Sequence, residues 1–285
     1  MWTKIFKIFL LLTLFYILLS HSVFANERIT ANPTFPVSFK IQKLPWNEVK
    51  KIIPRYSKFR VIDLETGASF QVQRRAGSRH ADVQPLTNKD TAIMKKIYNG
   101  KWSWNRRAVL VLVNDQLIAA SMHGMPHGAG ALVNNFPGHF CIHFHESTTH
   151  RSSQPDLGHH LMILRSGGEL EHYLQNSSAE QMINIFMTAL NNEDYKLLKA
   201  ITYSNNAKKH KKDLHQLINN VDMIKWEIVM PQQKTQFALG TTIQVKIHMY
   251  TKKNGLQREQ LDLELSRAFF KESWKVNISS LKKLR

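Results

Sequence analysis

Two apolar, β-branched-rich runs, residues 108–113 and 116–122, are separated by only Asn114-Asp115. Two residues are too few for a crossover, so these runs must pair antiparallel, and Asn-Asp suits a tight hairpin turn. A second pair, residues 59–64 and 69–73, flanks Glu65-Thr66-Gly67 and predicts another hairpin. Thr87 or Asn88 can cap a helix through Tyr98, with Ile93, Met94 and Ile97 on one face and Gly100 as its stop. A short helix is expected from Asp156 to about Arg165, ending at Gly167-Gly168. Residues 58–172 therefore read as a mainly β domain with short helices. Residues 26–57, which hold Pro33, Pro36, Pro45 and Pro54, read as an extended lead-in.

The pattern changes after Asn176-Ser177-Ser178, a linker and helix cap. Met182, Ile183, Phe186, Met187 and Leu190 recur at helical spacing over 179–191, and a second helical stretch covers 194–201. Lys208-Lys209-His210-Lys211-Lys212 reads as a solvated loop. Four strand-like runs follow, at 224–230, 241–251, 257–270 and 274–278. Helices followed by a strand meander predict a second, α+β domain over 177–285, with helices packed on a curved antiparallel sheet. In element order it resembles the nuclear-transport-factor-like α+β cones, which implies an accessory binding or assembly role.

The first 25 residues bear on compartment. Lys4 and Lys7 precede a 12-residue apolar run, residues 8–19, and Val23-Phe24-Ala25 offers small residues at a cleavage position. This reads as a secretory signal, shorter than a comfortable membrane span, so membrane contact is expected only if it stays uncleaved. The chain carries 39 Lys+Arg against 21 Asp+Glu, a formal charge of +18. Loss of Lys4 and Lys7 leaves 37 against 21, or +16. Such a charge on an exported protein predicts an anionic partner in the cell wall. No Arg-rich recognition helix or aromatic ladder points to nucleic acid. The single Cys rules out an intramolecular disulfide framework and any Cys-rich zinc module.

The chemistry-bearing stretch runs from Ser121 to His150. Read as a strand, residues 138–145 place Phe140, Ile142 and Phe144 on one face and His139, Cys141, His143 and His145 on the other. A thiol among imidazoles is the requirement for nucleophilic sulfur chemistry, because an imidazole can take the thiol proton and return it to a leaving group. Gly138 leaves room for close backbone approach by a substrate. Here the chain resembles the L,D-transpeptidases, cysteine enzymes that cross-link peptidoglycan. They carry a His-Gly pair, a spacer, and Ser-His-Gly-Cys-Ile/Val-Arg. This chain reads His123-Gly124, thirteen residues, then Gly138-His139-Phe140-Cys141-Ile142-His143. Phe140 stands where the family has Gly, His143 where it has Arg, and Gly138 where it has Ser.

The resemblance covers residues 58–150 and implies Cys141 as nucleophile, His139 as general base, His123 lining the site and Gly124 shaping the loop beneath it. It implies acyl transfer on peptidoglycan stem peptides, with no cofactor. Gly124, Gly138, His143, His145, Arg79 and His80 are the candidate substrate-binding residues, and Arg74-Arg75 and Arg106-Arg107 are further carboxylate-binding candidates. A rival reading uses His123, His127, His143 and His145 as ligands of a zinc peptidase. A third takes the chain as a non-catalytic wall-binding protein on a degenerate enzyme domain.

Overall fold

The computed structural model describes residues 40–149, 154–204, 206–229 and 238–284. The signal segment at 1–25 and the lead-in before residue 40 lie outside this range.

The first half closes on itself. Strands β1 (Ile41–Gln42), β2 (Lys58–Asp63), β3 (Ser69–Ala76), β4 (Ala81–Pro85), β5 (Arg107–Val113), β6 (Gln116–Met122) and β7 (Phe140–His143) share one sheet. Six of them run in the order β6-β5-β2-β3-β4-β7, and β7 pairs again with β6 to complete an antiparallel barrel. Closure removes the sheet edges on which stray pairing would occur. β1 adds in parallel outside β6. The β5–β6 turn has Asn114 at φ 46° and Asp115 at φ 57°, the doubly left-handed geometry that matches hairpin twist. Val61, Phe70, Val72, Val83, Val109, Val111, Ile118, Met122, Phe140 and Ile142 fill the barrel.

Two helices brace it. Helix α1 (Trp46–Ile52) lies within the stretch expected to be extended, and its Trp46 and Val49, with Ile53 after it, are buried in the barrel core. Proline at the cap position lacks only an N–H that the first turn leaves unbonded anyway, which is why Pro45 permits this helix. Buried Arg74 fixes it by donating to the carbonyls of Lys50 and Ile53 while its guanidinium lies 4.7 Å from the Trp46 ring. Helix α2 (Asn88–Ile97) begins at a Thr87/Asp90 capping box.

The second half stacks helices on a second sheet. After α3 (Leu157–Ser166) come α4 (Leu170–Gln175), α5 (Ala179–Asn191), α6 (Tyr195–Ile201) and α7 (Ala207–Asn220), seven helices in all among the described residues. The sheet runs β8-β12-β11-β10-β9, built from Thr202–Tyr203, Lys275–Asn277, Gly255–Ser266, Gly240–Thr251 and Val221–Ile228. It is antiparallel except where β8 joins β12. The run from Lys208 to Lys212 is the first half of α7 rather than a loop. Leu214 and Leu217 anchor the other half of that helix in the core, and the lysines follow from helical continuity.

Helix α3 joins the halves. Its Leu161 and Met162 belong to the second hydrophobic cluster, while Ser166 Oγ donates to the Ala120 carbonyl on β6. Apolar on several faces, it is buried between the layers. The described residues cluster as one compact unit. The architecture is mixed α/β: a closed six-stranded antiparallel barrel and a second, helix-backed sheet.

Candidate functional site

β7 is short and lies between β4 and β6, and that position creates the site. Its register sets Cys141 opposite Asp82 on β4 and His143 opposite Ser121 on β6. Strand alternation turns Phe140 and Ile142 into the barrel and sends Cys141 and His143 to the other face. That face is covered. His159 of α3 stacks on His143 with ring centroids 3.8 Å apart, and His127, from the loop after β6, reaches Cys141. Cys141 is only 3% exposed.

Around the sulfur the histidines have assigned orientations, because a carbonyl can only accept a hydrogen bond. His127 Nδ1 lies 3.1 Å from the Met125 carbonyl, so it holds the proton, and Nε2 turns its lone pair to Cys141 Sγ at 3.4 Å. His80 Nδ1 donates to the Thr148 carbonyl at 2.7 Å, leaving Nε2 3.3 Å from Asp82 Oδ1. His139 Nδ1 donates to the Ala129 carbonyl at 3.0 Å, with Nε2 4.0 Å from the same carboxylate oxygen. Asp82 Oδ1 is itself 3.8 Å from the sulfur. Three Nε2 atoms, a thiol and a carboxylate therefore converge. His143 sits in a stack between His80 and His159, and His159 Nδ1 meets Ser121 Oγ at 2.9 Å.

Burial sets the electrostatics. It pushes the Cys141 thiol well above its ordinary value, and the Asp82 carboxylate adds to the effect by repelling a thiolate. Burial holds His123 and His159 well below the usual imidazole range, so both are neutral near pH 7. At the rim, Trp104 is half exposed, and its ring lies 4.7 Å from that of His123 and 5.4 Å from that of His127.

Family models, curated proteins and solved structures were compared with the chain, and none matches.

Of the residues singled out by sequence, Cys141, His123, His80 and His143 are brought together with His127. His139 lies beside Asp82 and the His127 ring, and His127 Nε2 lies 3.4 Å from the sulfur. His145 stands apart, against Glu146 and His160. Arg79 is exposed, and its carbonyl accepts from Thr148 N–H. The room at Gly138 is taken by the chain itself: a Cβ there would lie 2.5 Å from the His127 carbonyl oxygen, leaving no gap for a substrate. Gly124 is pressed against the Tyr98 ring, 2.5 Å from where its Cβ would be, and so shapes the loop under His123.

Two other arginine candidates are held in ion pairs. Arg107 grips buried Asp63 with two nitrogens, and Arg106 pairs with Asp156. Both line a cleft of about 860 Å³ beside Tyr98 and Arg165, which does not include Cys141.

Sequence reasoning missed the partnership of Asp82 with Cys141, and missed His159 altogether. The alternation His80-x-Asp82-x-Gln84 was a usable signal for a polar strand face. Nothing in the sequence sets its register against Cys141.

Proposed function

We propose that the protein is an exported cysteine acyltransferase acting on peptidoglycan stem peptides, with Cys141 as nucleophile and His127 as its base. The observation that carries this reading is the 3.4 Å approach of His127 Nε2, in the proton-accepting tautomer, to Cys141 Sγ. The raised thiol means that the sulfur rests protonated, so no thiolate–imidazolium pair is formed in advance. Proton transfer to His127 accompanies attack of sulfur on the amide carbonyl carbon. The amide C–N bond then breaks, the leaving amine takes the proton from His127, and a thioester remains. An acceptor amine, or water, cleaves the thioester and restores the thiol.

Support for the wall as substrate comes from the leader-like first 25 residues, the charge of +16 that remains without them, and the motif resemblance around Cys141. His127 replaces His139 in the base role because His127 touches the sulfur. His123 and Trp104 flank His127 and limit how it can move.

Mass spectrometry of muropeptides incubated with metal-free wild type, Cys141→Ala and His127→Ala provides the test. Wild type yields cross-linked or trimmed stems, Cys141→Ala yields none, and His127→Ala slows the reaction by about 10²- to 10⁴-fold. Identical products from wild type and Cys141→Ala would overturn the reading.

A further inference from the structure

Beside Cys141 lies a second set of donors, of which acyl transfer uses only the sulfur. The ligating atoms of His80, Cys141 and His143 all lie within 4.8 Å of one another. Asp82 Oδ1 lies beside two of the three, 3.3 Å from His80 Nε2 and 3.8 Å from Sγ. With His80 Nδ1 committed to the Thr148 carbonyl, Nε2 is the nitrogen turned to the carboxylate oxygen. Two such atoms at that distance repel unless a proton or a cation lies between them. An imidazole fixed by a carbonyl at one nitrogen, with the other nitrogen turned to a shared centre, is the usual arrangement of a metal-ligating histidine.

We propose that Asp82, His80, Cys141 and His143 form a four-donor site for one zinc-class divalent ion, and that the bound ion withholds the Cys141 sulfur from acyl transfer. The second half rests on the proposed function; the site itself does not. Thiolate and carboxylate together cancel the charge of a divalent ion, which matters where all four residues are buried. Sulfur and imidazole donors favour zinc over magnesium or calcium. Three of the donors stand on the paired strands β4 and β7 and His80 directly precedes β4, so the set is held by backbone register. As the sulfur–metal bond forms, the thiol proton passes to solvent and no electron changes hands.

The neighbouring triad of His123, His127 and Cys141 is less suited to the ion. His123 Nδ1 accepts the Met125 N–H at 3.3 Å, so its neutral ring carries the proton on Nε2 and has no lone pair to offer there.

Cobalt titration of the chelator-treated full chain tests the site. One equivalent of Co²⁺ should develop a thiolate-to-cobalt charge-transfer band, displaced by Zn²⁺, with release of about one proton per ion. Cys141→Ser should abolish the band, and the near-isosteric Asp82→Asn should weaken binding at least about tenfold. His127→Ala should keep the band. Circular dichroism of each variant confirms that it is folded, and His80→Ala provides a second ligand variant should Asp82→Asn fail that check. No band in wild type, or a band that survives Cys141→Ser, overturns the site.

The muropeptide assay separates the two proposals. Activity in metal-free protein that falls with one equivalent of Zn²⁺ and returns with chelator supports withholding. Activity that requires Zn²⁺ overturns withholding while leaving the site. A cobalt band in protein inactive under both conditions leaves the site and refutes acyl transfer.

Discussion

At Cys141 the thiol proton meets His127 Nε2, 3.4 Å from the sulfur, and Asp82 Oδ1, 3.8 Å from it, as acceptors. Burial and the Asp82 charge both keep that proton in place, pushing the thiol above its ordinary 9.0. Alkylation of chelator-treated protein by iodoacetamide should therefore be slow at pH 7. Its rate should still be climbing at pH 9, where an ordinary thiol is levelling off. Asp82→Asn removes the repelling charge and should raise the rate at pH 8. Stopped-time mass spectrometry of the Cys141 peptide measures both. A rate already on its plateau at pH 7 would mean a preformed thiolate and would contradict the proton-coupled attack proposed above.

Element by element, legibility followed the range of the forces involved. The β5–β6 hairpin, α2 and α5 could be read from sequence because turn chemistry, a capping box and apolar spacing are local. The α1 helix was hidden by prolines and depends on Arg74, 24 residues beyond Lys50, to satisfy its last carbonyls. The pairing of β4 with β7 joins residues 59 apart, Asp82 and Cys141, and no local pattern sets that register. Cys141 and the alternation of His139, His143 and His145 were legible, whereas the choice of His127 as the sulfur's neighbour depends on how the long loop returns. Gly138 is the hinge of that return, at φ +123° and directly before the hydrogen-bonded bridge of His139 to His127. Gly138→Ala should displace His127 from Cys141, because its Cβ would meet the His127 carbonyl oxygen at 2.5 Å and the Gly128 oxygen at 2.9 Å. The expected result is a loss of about 1–3 kcal/mol in urea unfolding with a disproportionate fall in the rate of acyl transfer. Wild-type rate and stability in this variant would show that the loop does not position the base.

Across the whole molecule, the barrel, the loop after β6 and α3 together bury a patch of imidazoles, and that makes stability depend on pH. Burial lowers His123 and His159 well below their ordinary 6.5, so in the folded protein both stay neutral while the unfolded chain takes up protons. Where the unfolded state binds more protons, stability falls with falling pH. The loss begins as pH drops through about 6.5 and continues until the depressed folded values are reached. Two groups acting together give a limiting slope of about 2.7 kcal/mol per pH unit. At the alkaline end the sign reverses: the raised Cys141 thiol stays protonated in the fold while the unfolded thiol ionises, so stability declines above about pH 9. Urea unfolding of chelator-treated protein should thus show a plateau between these limits and a steep acid limb. His159→Phe keeps a ring against His143 but cannot titrate, and should remove about one proton's worth of the acid slope. Its lost contact with Ser121 should lower stability by about 1 kcal/mol on the plateau, and the gap to wild type should close as pH falls. An acid limb unchanged in that variant would place the buried proton-excluding group elsewhere in the cluster.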